Sequence, residues 1–301
     1  MVISTLNYTI RCLVVLICVS FYTLFERKVL GLSHFRLGPL TVSWGGLLQP
    51  FADGLKLFTK RTSLLNLWTS TLYLIRPCLL MLLRLLYLSF LEGWNLSPSW
   101  SGGVLGFLSL LIISAYPSIL VGWSRTSEWA LIGAIRNLAI IISFEVGLRF
   151  LLIGLCVIPS CLSFVEIGGR GLSFILISAP WCILWSIRVI CELNRTPFDL
   201  GEAERELVSG VNIEYSGGAF RLLFIREYMN MIFFRFLSAV LILGGGVDSQ
   251  WVFITGCFIM YRLVWVRATL PRVRYDKMIR MFWIVVIPLV LTLSYLHLWI
   301  V

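Results

Sequence analysis

Apolar runs long enough to cross a bilayer, about 20 residues each, recur along the chain and are separated by polar connectors. They fall at roughly 3–25, 68–91, 101–122, 129–158, 171–190, 219–245, 250–266 and 280–300. This pattern predicts an all-α integral membrane protein of about eight transmembrane helices, with residues 1–301 forming a single transmembrane domain. The fourth run is longer than a span requires and leaves room for a tilt or a break. The first run lacks a basic start and a small-residue cleavage site, and "ERK" follows it at 26–28. It therefore reads as a retained helix rather than a cleaved signal, with Arg11 snorkelling or facing protein.

Three connectors break the apolar rhythm. The first contains Leu47 to Lys60, with apolar residues at 47, 48, 51, 55 and 58 and Gln49, Asp53, Lys56 and Lys60 as the polar remainder. That spacing predicts an amphipathic interfacial helix, either a plain anchor or the floor of a site for an amphiphilic ligand. Asp53 and Lys56, three apart, are placed to pair. The second connector, "ELNRTPFDLGEAERELVSGVNIE" (192–214), holds six of the fifteen acids, so carboxylates are concentrated in one place. Thr196 before Pro197 predicts extended backbone. Asp199 stands as an N-cap with Glu202 in the capping-box position, which predicts a short acidic loop helix ended by Gly210. Glu202 and Glu206 share a face, a repulsion that Arg205 offsets in part, while Glu204 points elsewhere. On spacing alone this is either a solvated loop or an ordered acidic element. The third connector, "RATLPRVRYDKMIR" (267–280), carries Arg272, Arg274 and Lys277 with Asp276 as its lone acid. It reads as positive anchoring or as a cationic wall facing the acidic loop or a partner.

Composition sharpens the membrane reading. Only 13% of residues are charged and 59% are hydrophobic, too few polar groups for a water-soluble surface. The net charge of +10 would ordinarily suggest nucleic acid. Here the Arg and Lys sit mostly between apolar runs, in the loops after helices 1, 3, 5 and 7, while the loops after helices 2, 4 and 6 contain only Arg170. The positive-inside rule accounts for that bias without nucleic acid. It puts the long loops in the matrix or cytoplasm and both termini on the opposite side. The eight cysteines form no C-x-x-C pair and lie mostly in apolar runs; His34 and His297 are far apart in sequence. The chain therefore predicts no metal site and no redox centre of its own.

Acids also occur in or beside the apolar runs. Glu145 lies in "IIISFEVGLRF", Glu192 ends the fifth run after "WSIRVIC", and Glu227 lies near the start of the sixth. A lone carboxylate in the apolar layer costs about 2.5–3.5 kcal/mol on insertion scales, so such residues mark proton or ion paths or pair structurally. Arg136, Arg149 and Arg188 are the candidate partners. Closely placed acids titrate as a coupled set, which suits a proton relay.

Four segments together carry a specific resemblance: "ERKVLG…R.GP…GLLQPFADGLKLFTK", "ALIGAIR…ISFEV", "ELNRTPFDLGEAERELVSGVNIEYSGGAF" and "RATLPRVRYDKM". They resemble the quinone-site membrane subunit of respiratory NADH–ubiquinone oxidoreductase, over most of the chain. The resemblance implies a subunit of a proton-pumping NADH:ubiquinone reductase (complex I) in the mitochondrial inner membrane. Its long loops would face the matrix and both termini the intermembrane space. Ubiquinone would be the substrate, with flavin and iron–sulfur clusters confined to partner subunits. The partners implied are peripheral quinone-site and iron–sulfur subunits, antiporter-like membrane subunits and lipid. By motif position, Arg27, Arg36, Asp53, Phe224 and Arg274 would line or gate a quinone chamber. Glu145, Glu192, Asp199, Glu202, Glu204, Glu206, Glu214 and Glu227 would form an acidic proton path and its entrance. The chain departs from the family pattern at His34, Leu40, Arg61 and Ile140, and Arg76, Arg84, Arg205, Arg221 and Arg226 add cations at positions often neutral. Length and divergence resemble a mitochondrially encoded animal chain. Two other classes remain at this point. A secondary ion or proton transporter would favour internal repeats, of which no strong one is visible. The membrane anchor of a related hydrogenase-type complex would match the quinone loops less well.

Overall fold

In lipid every backbone N–H and C=O must find its partner within the protein, and a helix satisfies both within one segment. The computed structural model describes residues 2–60, 67–90, 102–124, 128–157, 160–169, 179–199, 215–243 and 250–300, and every regular element among them is helical. In chain order these are α1 (Val2–Ser33), a 3-10 turn (Trp44–Gly46), α2 (Gln49–Thr59), α3 (Leu67–Phe90), α4 (Gly103–Ser124), α5 (Glu128–Val157), α6 (Phe164–Gly169) and α7 (Ala179–Glu192). Next come α8 (Gly217–Ser238), which continues into a π turn (Ala239–Leu243), and α9 (Gln250–Thr269). The last stretch is α10 (Tyr275–Met281), a second π turn (Phe282–Val286) and α11 (Ile287–Ile300).

Among the described residues, five helices are long and apolar enough to cross a membrane: Leu6–Ser33, Gly103–Leu120, Leu131–Val157, Gln250–Thr269 and Tyr275–Leu296. The architecture is that of an all-α membrane protein. The other three expected spans fall on α3, on a run of which Ala179–Glu192 is the described part, and on α8, which carries Arg221, Arg226, Glu227 and Arg235. The expected count of eight thus stands beside five helices that meet the length and apolarity test.

Two boundaries differ from expectation. The first apolar run ends near residue 25, yet α1 continues through "ERKVLGLS" to Ser33. Hydropathy marks where lipid ends, whereas Glu, Arg, Lys and Leu are good helix formers and carry the helix onward. At 32 residues, α1 is about 48 Å long against a hydrocarbon layer of about 30 Å. It closes in a turn where Arg36 N–H donates to Gly31 O at 2.9 Å and Phe35 takes φ 53°. The second difference is α5: no break interrupts the long fourth run, and one α-helix spans Glu128–Val157.

The core is aromatic. Tyr87 of α3, Phe107 of α4 and Phe233 of α8 meet with ring centroids 5.2–5.3 Å apart, and Phe164 and Phe234 close the cluster. Trp181 and Trp185 of α7 are fully buried. The Trp185 indole N–H donates to Ser238 Oγ at 3.0 Å, giving a buried donor its partner. Gly154 of α5 faces the Trp181 indole so closely that any Cβ there would collide with it. A glycine lets the two elements approach at that point.

Candidate functional site

The amphipathic pattern of 47–60 forms α2 over Gln49–Thr59. Asp53, Gly54 and Leu57 turn toward the bundle, while Leu47, Leu48, Phe51, Leu55 and Phe58 are exposed. Asp53 does not pair with Lys56. Its carboxylate accepts from Arg27 Nη1 at 2.6 Å and from Gln49 Nε2 at 2.9 Å. The extension of α1 beyond the apolar run brings Arg27 alongside α2, and Phe21 packs edge-on to Phe51 at 6.0 Å. A long-range cation thereby displaces the local i, i+3 partner.

Next to Arg27 in the chain but on the inner face of α1, Glu26 is only 3% exposed. Its carboxylate accepts from the Tyr228 hydroxyl of α8 at 2.7 Å and pairs with Arg267 at the end of α9. Tyr22 stacks edge-on to Tyr228 at 5.7 Å. The Arg195 guanidinium lies over the Tyr228 ring at 5.1 Å and reaches Glu227 Oε2 at 3.4 Å. Tyr22, Glu26, Arg195, Thr196 and Arg267 line a cavity of about 20 Å³, roomy enough for about one water.

The chain leaves α7 through Asn194 at φ 48°, a left-handed conformation that asparagine tolerates better than most residues. The Thr196–Pro197 peptide is cis, and Phe198 N–H donates to Arg195 O at 2.8 Å. A turn therefore carries the chain through the Thr196–Pro197 step. The turn is stapled to the far end of the chain: Val273 N–H donates to Pro197 O at 3.0 Å and Thr196 Oγ1 to Arg267 O at 3.5 Å. Asp199 is half-buried, and its Oδ1 accepts no hydrogen bond among the described residues. The expected acidic helix with Glu202, Glu204, Glu206 and Glu214, and Arg205 with it, lies outside the described residues.

Deeper in the bundle, Glu145 of α5 is buried and accepts from Arg149 Nη2 at 2.6 Å. Of the three candidate partners it takes Arg149, one helical turn away. Arg188 of α7 is fully buried and bonds Glu192 Oε2 at 3.4 Å. Its guanidinium lies over Phe144 (5.0 Å) and Phe282 (5.6 Å), whose rings adjoin each other at 4.8 Å, contacts that suit a desolvated cation. Glu192 and Arg188 both lie within electrostatic reach of Glu145. Arg136 instead lies over the Tyr275 ring at 4.6 Å.

The structure therefore gathers Glu145 with Glu192, Arg27 with Asp53, and Glu227 with Arg195. Phe224 lies on the same face of α8, edge-on to Phe220 (4.7 Å) and stacked on Tyr228 (6.5 Å). Arg36 is exposed on the turn after α1, and Arg274 pairs with Asp276 at 3.3 Å on an exposed surface. Neither is brought to the buried clusters. Sequence reasoning missed Glu26 as a buried acid and Tyr228 and Arg267 as its partners. The available signal was the single acid of α1, placed where its apolar run ends. Among the described residues, no group of three or more His, Cys, Asp or Glu is placed to hold a metal ion.

Comparison with known proteins gives this arrangement its lineage. Residues 6–298 match the NADH dehydrogenase family. The chain is 40% identical over 291 residues to a Paracentrotus lividus protein named NADH-ubiquinone oxidoreductase chain 1, covering 91% of this chain and 88% of the relative. Proteins of the same name from Anopheles gambiae (39%, covering 94% and 90%) and Sminthopsis macroura (38%, covering 96% and 94%) match equally broadly. Alignment across nearly the whole chain, at identities well above 30%, settles kinship: the chain belongs to the NADH dehydrogenase family, among the chain 1 membrane subunits of NADH-ubiquinone oxidoreductase.

Proposed function

We propose that this chain, as one transmembrane domain, forms the quinone chamber of proton-pumping NADH:ubiquinone oxidoreductase and the acidic path that couples quinone reduction to proton translocation. The observation that carries the reading is a row of buried and half-buried polar groups. It starts at Glu26, Tyr228, Arg267, Arg195 and Glu227, beside the amphipathic helix, and continues with Glu192, Arg188, Glu145 and Arg149 inside the bundle. Ionic side chains in an apolar layer are costly, and three of these, Glu26, Arg195 and Arg267, line a water-sized cavity, which suits proton movement better than structural filling. The exposed apolar face of α2, beside Asp53 and Arg27, suits a head-polar, tail-apolar substrate such as ubiquinone.

In this reading the Arg27–Asp53 pair orients the quinone head and Phe224 packs against it. Electrons arrive from flavin and iron–sulfur clusters held by peripheral partner subunits. Quinone takes up protons as it is reduced, and the charge change is passed to the paired acids. Asp199 and the acids of 202–214 stand at the entrance to this row. Antiporter-like membrane subunits complete the pump in the mitochondrial inner membrane, with the long loops facing the matrix.

Glu145→Gln and Glu192→Gln, each in the intact complex reconstituted in sealed vesicles, test the path. Both should lower quinone reduction and the associated proton uptake signal. Wild-type turnover with wild-type pumping in both variants would remove these acids from the mechanism. A photoactivatable quinone-site inhibitor should label near Asp53 or within 192–214; labelling confined to the other membrane face would refute the chamber.

A further inference from the structure

The geometry points to Arg221 as a positioning residue: a latch that fixes the amphipathic helix α2 against α8 and thereby sets the shape of the quinone chamber's floor. This rests on the chamber reading above and adds to it a residue that no motif of the chain singles out for binding.

Arg221 lies in the second turn of α8, and its side chain reaches across to α2. Nη1 donates to the backbone oxygen of Gly54 at 3.1 Å. The guanidinium carbon sits 3.7 Å from the centroid of the Phe58 ring, close contact for a cation over an aromatic face. Gly54 and Phe58 are one turn apart on α2, so the planar fork covers a full turn of that helix. The helical carbonyl of Gly54 has a second lone pair free for this donor. Gly54 also makes the space: a Cβ there would lie 3.0 Å from Nη2 and 3.2 Å from Cζ. A glycine inside a helix costs about 1 kcal/mol relative to alanine, and here the missing methyl is what admits the guanidinium.

The latch is the second of two anchors on adjacent residues. Asp53 ties α2 to α1 through Arg27, while Gly54 ties it to α8 through Arg221. A short helix that is exposed along Leu55 and Phe58 is held at a defined spacing only when both sides are fixed. Beside the latch, Phe220, Phe224 and Tyr228 run down α8 in successive ring contacts, the first edge-on and the second stacked, and Tyr228 ends on Glu26. A change in the α2–α8 spacing is therefore felt at the residues proposed to receive the quinone head.

The test uses the intact complex and separates quinone KM from kcat. Arg221→Ala removes both contacts and should raise the quinone KM about fivefold, the equivalent of one modest hydrogen bond plus an exposed cation–π contact. At saturating quinone, kcat should stay near wild type. Arg221→Lys keeps a donor and a cation and should recover part of the loss. Gly54→Val pushes the guanidinium off the helix and should raise KM in the Arg221 background but add little on top of Arg221→Ala. That non-additivity identifies the contact itself. Unchanged KM in Arg221→Ala, or full additivity with Gly54→Val, would overturn the latch. So would a fall in assembled complex with no change in KM, which is what a merely structural residue gives. Asp53→Asn, measured alongside, keeps the two ideas apart: unchanged KM there removes the chamber reading, whereas raised KM there with wild-type behaviour in Arg221→Ala removes only the latch.

Discussion

Glu26 offers the sharpest quantitative test. Glu26→Gln keeps the shape of the side chain and removes its charge. The carboxylate is buried, accepts from Tyr228 at 2.7 Å and pairs with Arg267, whose side chain retains 29% exposure. Removing one partner of a buried pair costs about 3–5 kcal/mol when the other is stranded without water. Arg267 keeps partial hydration, so screening brings the expected cost down to about 2–3 kcal/mol. The loss falls where α1, α8 and α9 converge. Hydrogen–deuterium exchange on the intact complex should show amides of the last turns of α1 and α9 exchanging about 30- to 150-fold faster. Tyr228→Phe should give an effect of similar size at the same amides, about 1.5–3 kcal/mol for a hydrogen bond to a charged acceptor. The double variant should fall short of the sum by more than about 0.5 kcal/mol, since both changes remove the same contact. Wild-type exchange in Glu26→Gln, or strict additivity with Tyr228→Phe, would refute the buried-pair account.

Other outcomes follow from the packing. Arg188→Met removes a fully buried cation and leaves Glu192 and Glu145 without it, which should cut assembled complex strongly, by about 3–5 kcal/mol of stability. Adding Glu192→Gln to that variant should restore part of the yield, and no restoration would deny the pairing. Gly154→Leu drives a side chain into the Trp181 indole and should cost about 1–3 kcal/mol as overpacking, seen as a lowered melting temperature; an unshifted melting temperature would mean that the α5–α7 approach is looser than described. The Arg27–Asp53 pair is largely exposed and is worth at most about 1 kcal/mol. Asp53→Asn should therefore leave complex yield intact, and a collapse in yield would show that the pair holds the fold.

The helices were legible because bilayer thickness imposes a length that the apolar runs display. The amphipathic α2 was legible because its period survives between the polar residues. What the pattern could not show is where helices end once they leave lipid, as in the last turns of α1, nor which cation an acid selects. Asp53 illustrates the second point. Lys56 is the local partner that spacing offers, yet Arg27, remote in sequence, wins because α1 overshoots the membrane and presents a planar guanidinium that fits a carboxylate better than an ammonium does. Glu26 was hidden by its setting: an acid beside Arg27 and Lys28 reads as part of a topological charge cluster, and only the convergence of α8 and α9 shows that it faces inward.

Four acids in the described clusters share one arrangement. Glu145 and Glu192 take arginines one turn away on their own helices, Arg149 and Arg188. Glu26 and Glu227 take Arg267 and Arg195 from other elements. The first kind can be read from i, i+4 spacing, and the second needs the fold. The difference bears on mechanism. A row of acid–arginine pairs is neutral overall, so charge delivered at one end unbalances the nearest pair and acts on its arginine as much as on its acid. Arg188 is the member best placed to respond. It holds Glu192 by a single long bond, has Nε and Nη1 unbonded among the described residues, and lies within electrostatic reach of Glu145. The adjoining rings of Phe144 and Phe282 pack against its guanidinium without supplying a counter-charge. In the proposed path, coupling between Glu192 and Glu145 therefore runs through the position of one buried arginine, and the two acids act as a pair rather than as independent sites.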